Sequence, residues 1–97
     1  MIKHVVIFKL KENAPVEEIK KRIKNLKNEI KNIKEITVGT DIGYDKSASD
    51  LCLITELETL EDLDIYAKHP KHLDVIAFIK PYVIERRAVD FYDKKET

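Results

Sequence analysis

The sequence predicts an α+β fold: a four-stranded antiparallel sheet with its helices on one face. Three observations carry this. The chain opens with an alternating apolar segment, a long apolar stripe at helical spacing follows, and the second half supplies two more strands around a second helical region.

In the first strand Ile2, His4, Val6, Phe8 and Leu10 share one face, and Lys3, Val5, Ile7 and Lys9 share the other. Both faces carry apolar residues, so both need cover. Asn13-Ala14-Pro15 then starts a helix, with proline tolerated in the first turn. Val16, Ile19, Ile23, Leu26, Ile30 and Ile33 form its stripe, and the helix is expected to end near Asn32. Glu17 and Glu18 near its start suit the helix dipole. Glu35 to Gly43 reads as the second strand, Gly43 to Ser49 as a polar turn, and Asp50 to Leu57 as the third strand. In that third strand Leu51, Leu53 and Leu57 face one way, Cys52 and Ile54 the other. Thr59-Leu60-Glu61-Asp62 resembles a capping box and opens a short helix carrying Leu60, Leu63, Tyr66 and Ala67. Pro70 interrupts that pattern, since the residue before a proline is biased out of the helical region. A further helix begins there with His72, Val75, Ile76, Ile79 and Val83 on its apolar face and Pro81 near its end. Ile84 to Tyr92 is the last strand and Asp93 to Thr97 a polar tail. The order βαββαβ is the split βαβ, ferredoxin-like pattern. Its helix-free sheet face, with Val5, Ile7, Cys52 and Ile54, calls for a partner subunit.

A chain of 97 residues is expected to form a single domain over 1–97. At this size it buries a little over about 60% of its unfolded surface, so association would help it. Charged residues make up 37% and balance to zero, which gives no electrostatic case for nucleic acid or an anionic membrane. No apolar run approaches the roughly 18 residues of a bilayer span. The N-terminus reads as a strand, not a signal peptide. The single cysteine, Cys52, allows no disulfide framework and fits a reduced, cytoplasmic setting.

The segment Tyr66-Ala67-Lys68-His69-Pro70-Lys71-His72 concentrates groups that move protons near neutrality or donate hydrogen bonds. His72 lies on an apolar helix face, His4 on the apolar face of the first strand, and Tyr66 on the stripe of the preceding helix. If these faces pack together, two imidazoles and a phenol enter one mostly apolar interior, the usual character of a small-ligand site. Each residue taken alone is more commonly a core side chain satisfied by backbone. His69, beside Pro70, reads as a junction residue. No carboxylate accompanies the histidines at a recognised ligand spacing, so no metal site is expected. Cys52 has no histidine beside it in sequence and reads as structural, and Arg86-Arg87 as a solvated or ion-paired edge.

The chain resembles the Dabb family, the stress-responsive dimeric α/β-barrel proteins. The likeness runs from Met1 to about Tyr92. It rests on Ile2-Lys3-His4-Val5-Val6-Ile7-Phe8-Lys9, on Leu60-Glu61-Asp62-Leu63 leading into Tyr66, His69-Pro70 and His72, on Phe78-Ile79-Lys80-Pro81, and on Val89-Asp90-Phe91. The resemblance implies a ferredoxin-like subunit that pairs sheet to sheet with a second copy. A plant polyketide cyclase of the family, which makes olivetolic acid by aldol condensation, uses a histidine base and a tyrosine donor. These correspond to His72 and Tyr66 as catalytic residues, with His4 matching a substrate-lining histidine. A further pocket histidine of that enzyme corresponds here to Leu51, a departure that bears on the substrate. The resemblance thus implies a homodimer with a small-molecule pocket, and cofactor-free cyclase or lyase chemistry on a polyketide-like carbonyl compound. The alternative is a non-catalytic stress-response dimer, either binding a small apolar or aromatic ligand or purely structural. Nothing in the sequence asks for haem, as some other dimeric α+β barrels do.

Overall fold

The structure is a computed structural model that describes residues 1–94, so 95–97 of the expected polar tail lie outside the described residues. The elements are β1 (Ile2–Leu10), α1 (Val16–Glu29), β2 (Glu35–Thr40), β3 (Leu51–Leu57), α2 (Leu60–Lys68), α3 (Pro70–Ile79), a 3-10 turn (Lys80–Tyr82) and β4 (Val83–Tyr92). The four strands form one sheet in the order β2-β3-β1-β4, with every neighbouring pair antiparallel. This is the ferredoxin-like arrangement.

The helix-facing side of the sheet and the apolar stripes of the helices form the core. Ile19, Ile23 and Leu26 of α1 are buried against Val6, Phe8, Leu10, Leu51, Leu53 and Leu57 of the strands. Each such side chain contributes about 1.5–3 kcal/mol by leaving water. Val75 and Ile79 of α3 join the same cluster, and the guanidinium of Arg22 on α1 lies 3.9 Å from the ring centre of Phe78 on α3.

Several expected boundaries move. α1 ends at Glu29 rather than near Asn32, and Ile30 turns extended. Ile30 and Ile33 are nevertheless buried, so they fill the core from the turn after the helix rather than from its stripe. The Pro15 carbonyl accepts the first intrahelical bond, from Ile19 N–H, which makes Pro15 the cap rather than the first helical residue. β2 stops at Thr40, three residues short of Gly43, because Asp41 Oδ2 draws in the Gly43 N–H and turns the chain. Gly43 has φ 80°, the left-handed region glycine enters freely. β3 begins at Leu51, with Asp50 just before it as a clamp: its N–H donates to Phe8 O at 2.9 Å and its Oδ2 accepts from Leu10 N–H at 2.7 Å. The capping box at α2 is only half formed. Thr59 Oγ1 accepts from Asp62 N–H, but the Asp62 carboxylate accepts from Asn32 Nδ2 at 2.8 Å and so ties the α1–β2 turn to α2. Val83 belongs to β4, not to the last helix, because α3 stops at Ile79 and gives way to the 3-10 turn. Pro81 has no N–H to continue the helical ladder.

One irregularity sets which side of the sheet the start of β4 faces. The β1–β4 ladder shifts between Lys9 and Leu10, pairing Lys9 with Glu85 but Leu10 with Val83. The extra residue, Ile84, is a bulge that changes the strand's parity. Arg86, Ala88 and Asp90 stand opposite Phe8, Val6 and His4 in the regular ladder, and the bulge lets Val83 face the same way.

The other sheet face carries Val5, Ile7, Cys52, Ile54, Val89 and Phe91. Val5 lies between Ile54 and Val89, and Ile7 opposite Cys52. Ile7, Val89 and Phe91 are exposed in the single chain. Among the described residues no helix is long and apolar enough to cross a membrane.

Candidate active site

The three residues singled out in the sequence come together. His4 stands on the helix-facing side of β1, between Thr55 of β3 and Asp90 of β4. Tyr66 sits in the last turn of α2 and His72 in the first turn of α3. The rings form a continuous file: Tyr66 and His72 centroids are 4.2 Å apart, and His4 meets Tyr66 edge-on at 5.9 Å. His69 lies at the junction, as its place before Pro70 implies. It closes α2 through its N–H to Tyr66 O, and its Nδ1 accepts from Lys71 N–H at the start of α3.

The hydrogen bonds assign the ring protons. His72 Nδ1 lies 3.1 Å from the Ala67 carbonyl, which can only accept. Nδ1 therefore carries the hydrogen and Nε2 is left with a lone pair. His4 Nδ1 meets Asp90 Oδ1, so Nδ1 turns its hydrogen toward that carboxylate. Among the described residues the Tyr66 hydroxyl has one protein partner, Thr55 Oγ1 at 3.5 Å, too long for a strong bond.

Burial sets the charge states. It lowers the pKa of His72, and the nearby charges of His4, Arg86 and His69 act in the same direction against the Ala67 carbonyl. His72 is thus a neutral base near pH 7. Burial raises the Tyr66 pKa, opposed by the Thr55 hydrogen bond and Arg86, so the phenol keeps its proton and remains a donor.

Beside this file lies a cavity of about 350 Å³, within the range of small-ligand sites. His4, Tyr66 and His72 supply polar groups, and Val6, Phe8, Leu53, Val75 and Ile79 are among its apolar walls. Lys80, Val83 and Arg86 complete it toward solvent. Leu51 is buried in the core and does not line the cavity; Leu53 does. Among the described residues no cluster of three or more His, Cys, Asp or Glu side chains is placed to hold a metal ion.

Sequence reasoning missed four contributors: Thr55, Lys80, Arg86 and Asp90. Reading Arg86-Arg87 as one edge ignored the two-residue period of a strand. Arg87 does pair outward with Glu85 at 3.2 Å, but Arg86 faces the cavity. The same period puts Asp90 on the side of Arg86, and the β1–β4 pairing then sets it opposite His4.

A ferredoxin-like α+β subunit with two imidazoles and a phenol on one wall of an apolar cavity is the class of protein that fold and site define. Within that class the chain belongs to the stress responsive A/B barrel domain family, Dabb, which it matches over residues 2–93. A dimeric ferredoxin-like protein of unknown function from Bacteroides fragilis is 31% identical, with 93% of each chain covered and a TM-score of 0.80. A dimeric ferredoxin-like protein of unknown function from Thermobifida fusca is 27% identical over 93% of this chain and 88% of that one, with a TM-score of 0.84. The hydroxynitrile lyase of Passiflora edulis shares the fold at 17% identity, covering 99% of this chain and 95% of its own, with a TM-score of 0.86. No curated protein sequence matches this chain.

Proposed function

We propose that this protein is a homodimer paired through its helix-free sheet face, and that each subunit performs cofactor-free acid/base chemistry on a small, polyketide-like carbonyl compound, as a cyclase or lyase. The observation that carries the second part is the cavity reaching His4, Tyr66 and His72 together, while among the described residues His72 Nε2 and the Tyr66 hydroxyl lack strong protein partners. The apolar row Val5, Ile7, Ile54, Val89 and Phe91 supports the first part, as does the description of similar proteins as dimeric.

In this reading His72 Nε2 removes a proton from the carbon next to a carbonyl. The C–H electron pair moves onto the carbonyl oxygen, and the Tyr66 O–H donates a hydrogen bond to the enolate that forms. In a cyclisation the enolate carbon attacks a second carbonyl of the same molecule, and the new alkoxide takes the proton back from His72. Asp90 holds the His4 ring, whose Nε2 orients the ligand. A lyase among the proteins of this fold is compatible with such chemistry.

The test is turnover of β-dicarbonyl and polyketide-like substrates by wild type and His72→Ala. A loss of about 10²–10⁴-fold is expected; equal rates would remove His72 from the mechanism. A second reading, a stress-response dimer that binds its ligand without chemistry, draws on the same cavity. It is favoured by the position of His72 Nδ1, which is tied to backbone as in a structural histidine. Ligand binding without turnover by any substrate would select it.

A further inference from the structure

Besides the imidazoles, the cavity wall holds two charged groups that the mechanism above does not use. Lys80 follows α3 and Arg86 lies on the inward side of β4, and both line the solvent-facing part of the cavity. Neither has an ion-pair partner among the described residues. The other two arginines of the chain do pair, Arg22 with Glu18 and Arg87 with Glu85. Among the described residues no carboxylate lines the cavity. Glu61, Asp64 and Asp90 border a separate groove that shares only His4 with it. The regular β1–β4 pairing sets Arg86 opposite Phe8 on the helix side of the sheet, which directs the second cation to the cavity, and the bulge at Ile84 brings Val83 to the same side. Arg86 is also close enough to act electrostatically on both Tyr66 and His72, which places its charge within reach of whatever those residues hold.

We propose that Lys80 and Arg86 form an anion subsite, so that the preferred ligand is a small carboxylic acid with an apolar body, its carboxylate on these cations and its body against Val6, Phe8, Val75 and Ile79. The inference rests on the binding pocket proposed above and names its substrate class: a carbonyl compound that carries a carboxylate. An arginine meets a carboxylate with two parallel donors, which gives orientation as well as affinity. The carboxylate would fix which carbon of the ligand lies beneath His72.

Calorimetric titration with para-butylbenzoate and its methyl ester, at neutral pH and low ionic strength, separates the possibilities. Wild type is expected to bind the acid about tenfold or more tightly than the ester, the effect of a charge-assisted contact. In Arg86→Gln and in Lys80→Gln/Arg86→Gln the acid should fall toward the ester. Equal binding of acid and ester by wild type overturns the anion subsite and leaves the apolar pocket standing. A preference for the acid that survives in the double variant also overturns it. Binding of neither probe overturns the pocket itself, and the subsite with it. Should the variants fold poorly, the wild-type comparison decides alone.

Discussion

Replacing Tyr66 by phenylalanine separates a working phenol from a structural one. Tyr66 is 1% exposed, so its ring is core, and phenylalanine keeps that ring. What is lost is one hydroxyl, 3.5 Å from Thr55 Oγ1. A good O–H···O bond is about 2.7–2.8 Å long and contributes about 0.5–1.5 kcal/mol net, so this one is worth the lower end or less. Tyr66→Phe should therefore lower Tm by no more than about 4 °C in a domain of this size. Denaturant titration of wild type, Tyr66→Phe, Thr55→Val and the double variant gives the coupling between the two hydroxyls, expected below about 0.5 kcal/mol. A hydroxyl that stabilises an enolate costs about 10²–10³ in rate when removed, so turnover by Tyr66→Phe should fall that far while stability barely changes. A coupling above about 1.5 kcal/mol would refute the reasoning: the phenol would then be committed to the core.

Three further predictions concern pH, assembly and a strand-end clamp. Because folding lowers the His72 pKa, its contribution to stability is present above the unfolded pKa of about 6.5 and is lost as pH falls through the folded value. Denaturation midpoints at about pH 7 and pH 5 should differ less in His72→Gln than in wild type, and equal differences would count against it. Ile54→Asp buries a charge if two sheets meet, so sedimentation should show a dimer in wild type and a monomer in the variant; a wild-type monomer would sink the pairing. Asp50→Ala leaves Leu10 N–H without its acceptor and should cost about 1–3 kcal/mol by denaturation, with Asp50→Asn, which keeps an oxygen, milder.

The fold was readable because binary patterning and secondary structure agree. The alternation in residues 2–10 and the stripe Ile19, Ile23, Leu26 each encode a buried face directly. Ile30 and Ile33 show the limit: an apolar spacing continues through a helix end when the following turn also buries its side chains. His4, Tyr66 and His72 were legible because each is a polar group on an apolar face, and convergence of the faces follows from the topology. Arg86 and Asp90 were not, because which side they take depends on the register of β4 against β1, a strand about 80 residues away in sequence that no local residue preference announces. The Asp62 carboxylate was misassigned for a related reason. Its competing partner, Asn32, is 30 residues away in sequence.

The break at His69-Pro70 has a geometric consequence for the ring file. On an unbroken α-helix, residues 66 and 72 would be rotated by about 240° from one another, and their side chains would leave on different sides. Turning the chain at residue 69 resets that phase, so Tyr66 ends one helix and His72 begins the next with their rings 4.2 Å apart. The same interruption frees the Ala67 carbonyl, which a continuing helix would have committed to the backbone N–H of Lys71, and the imidazole of His72 takes it up instead. A discontinuity in secondary structure thus serves as the alignment device of the site.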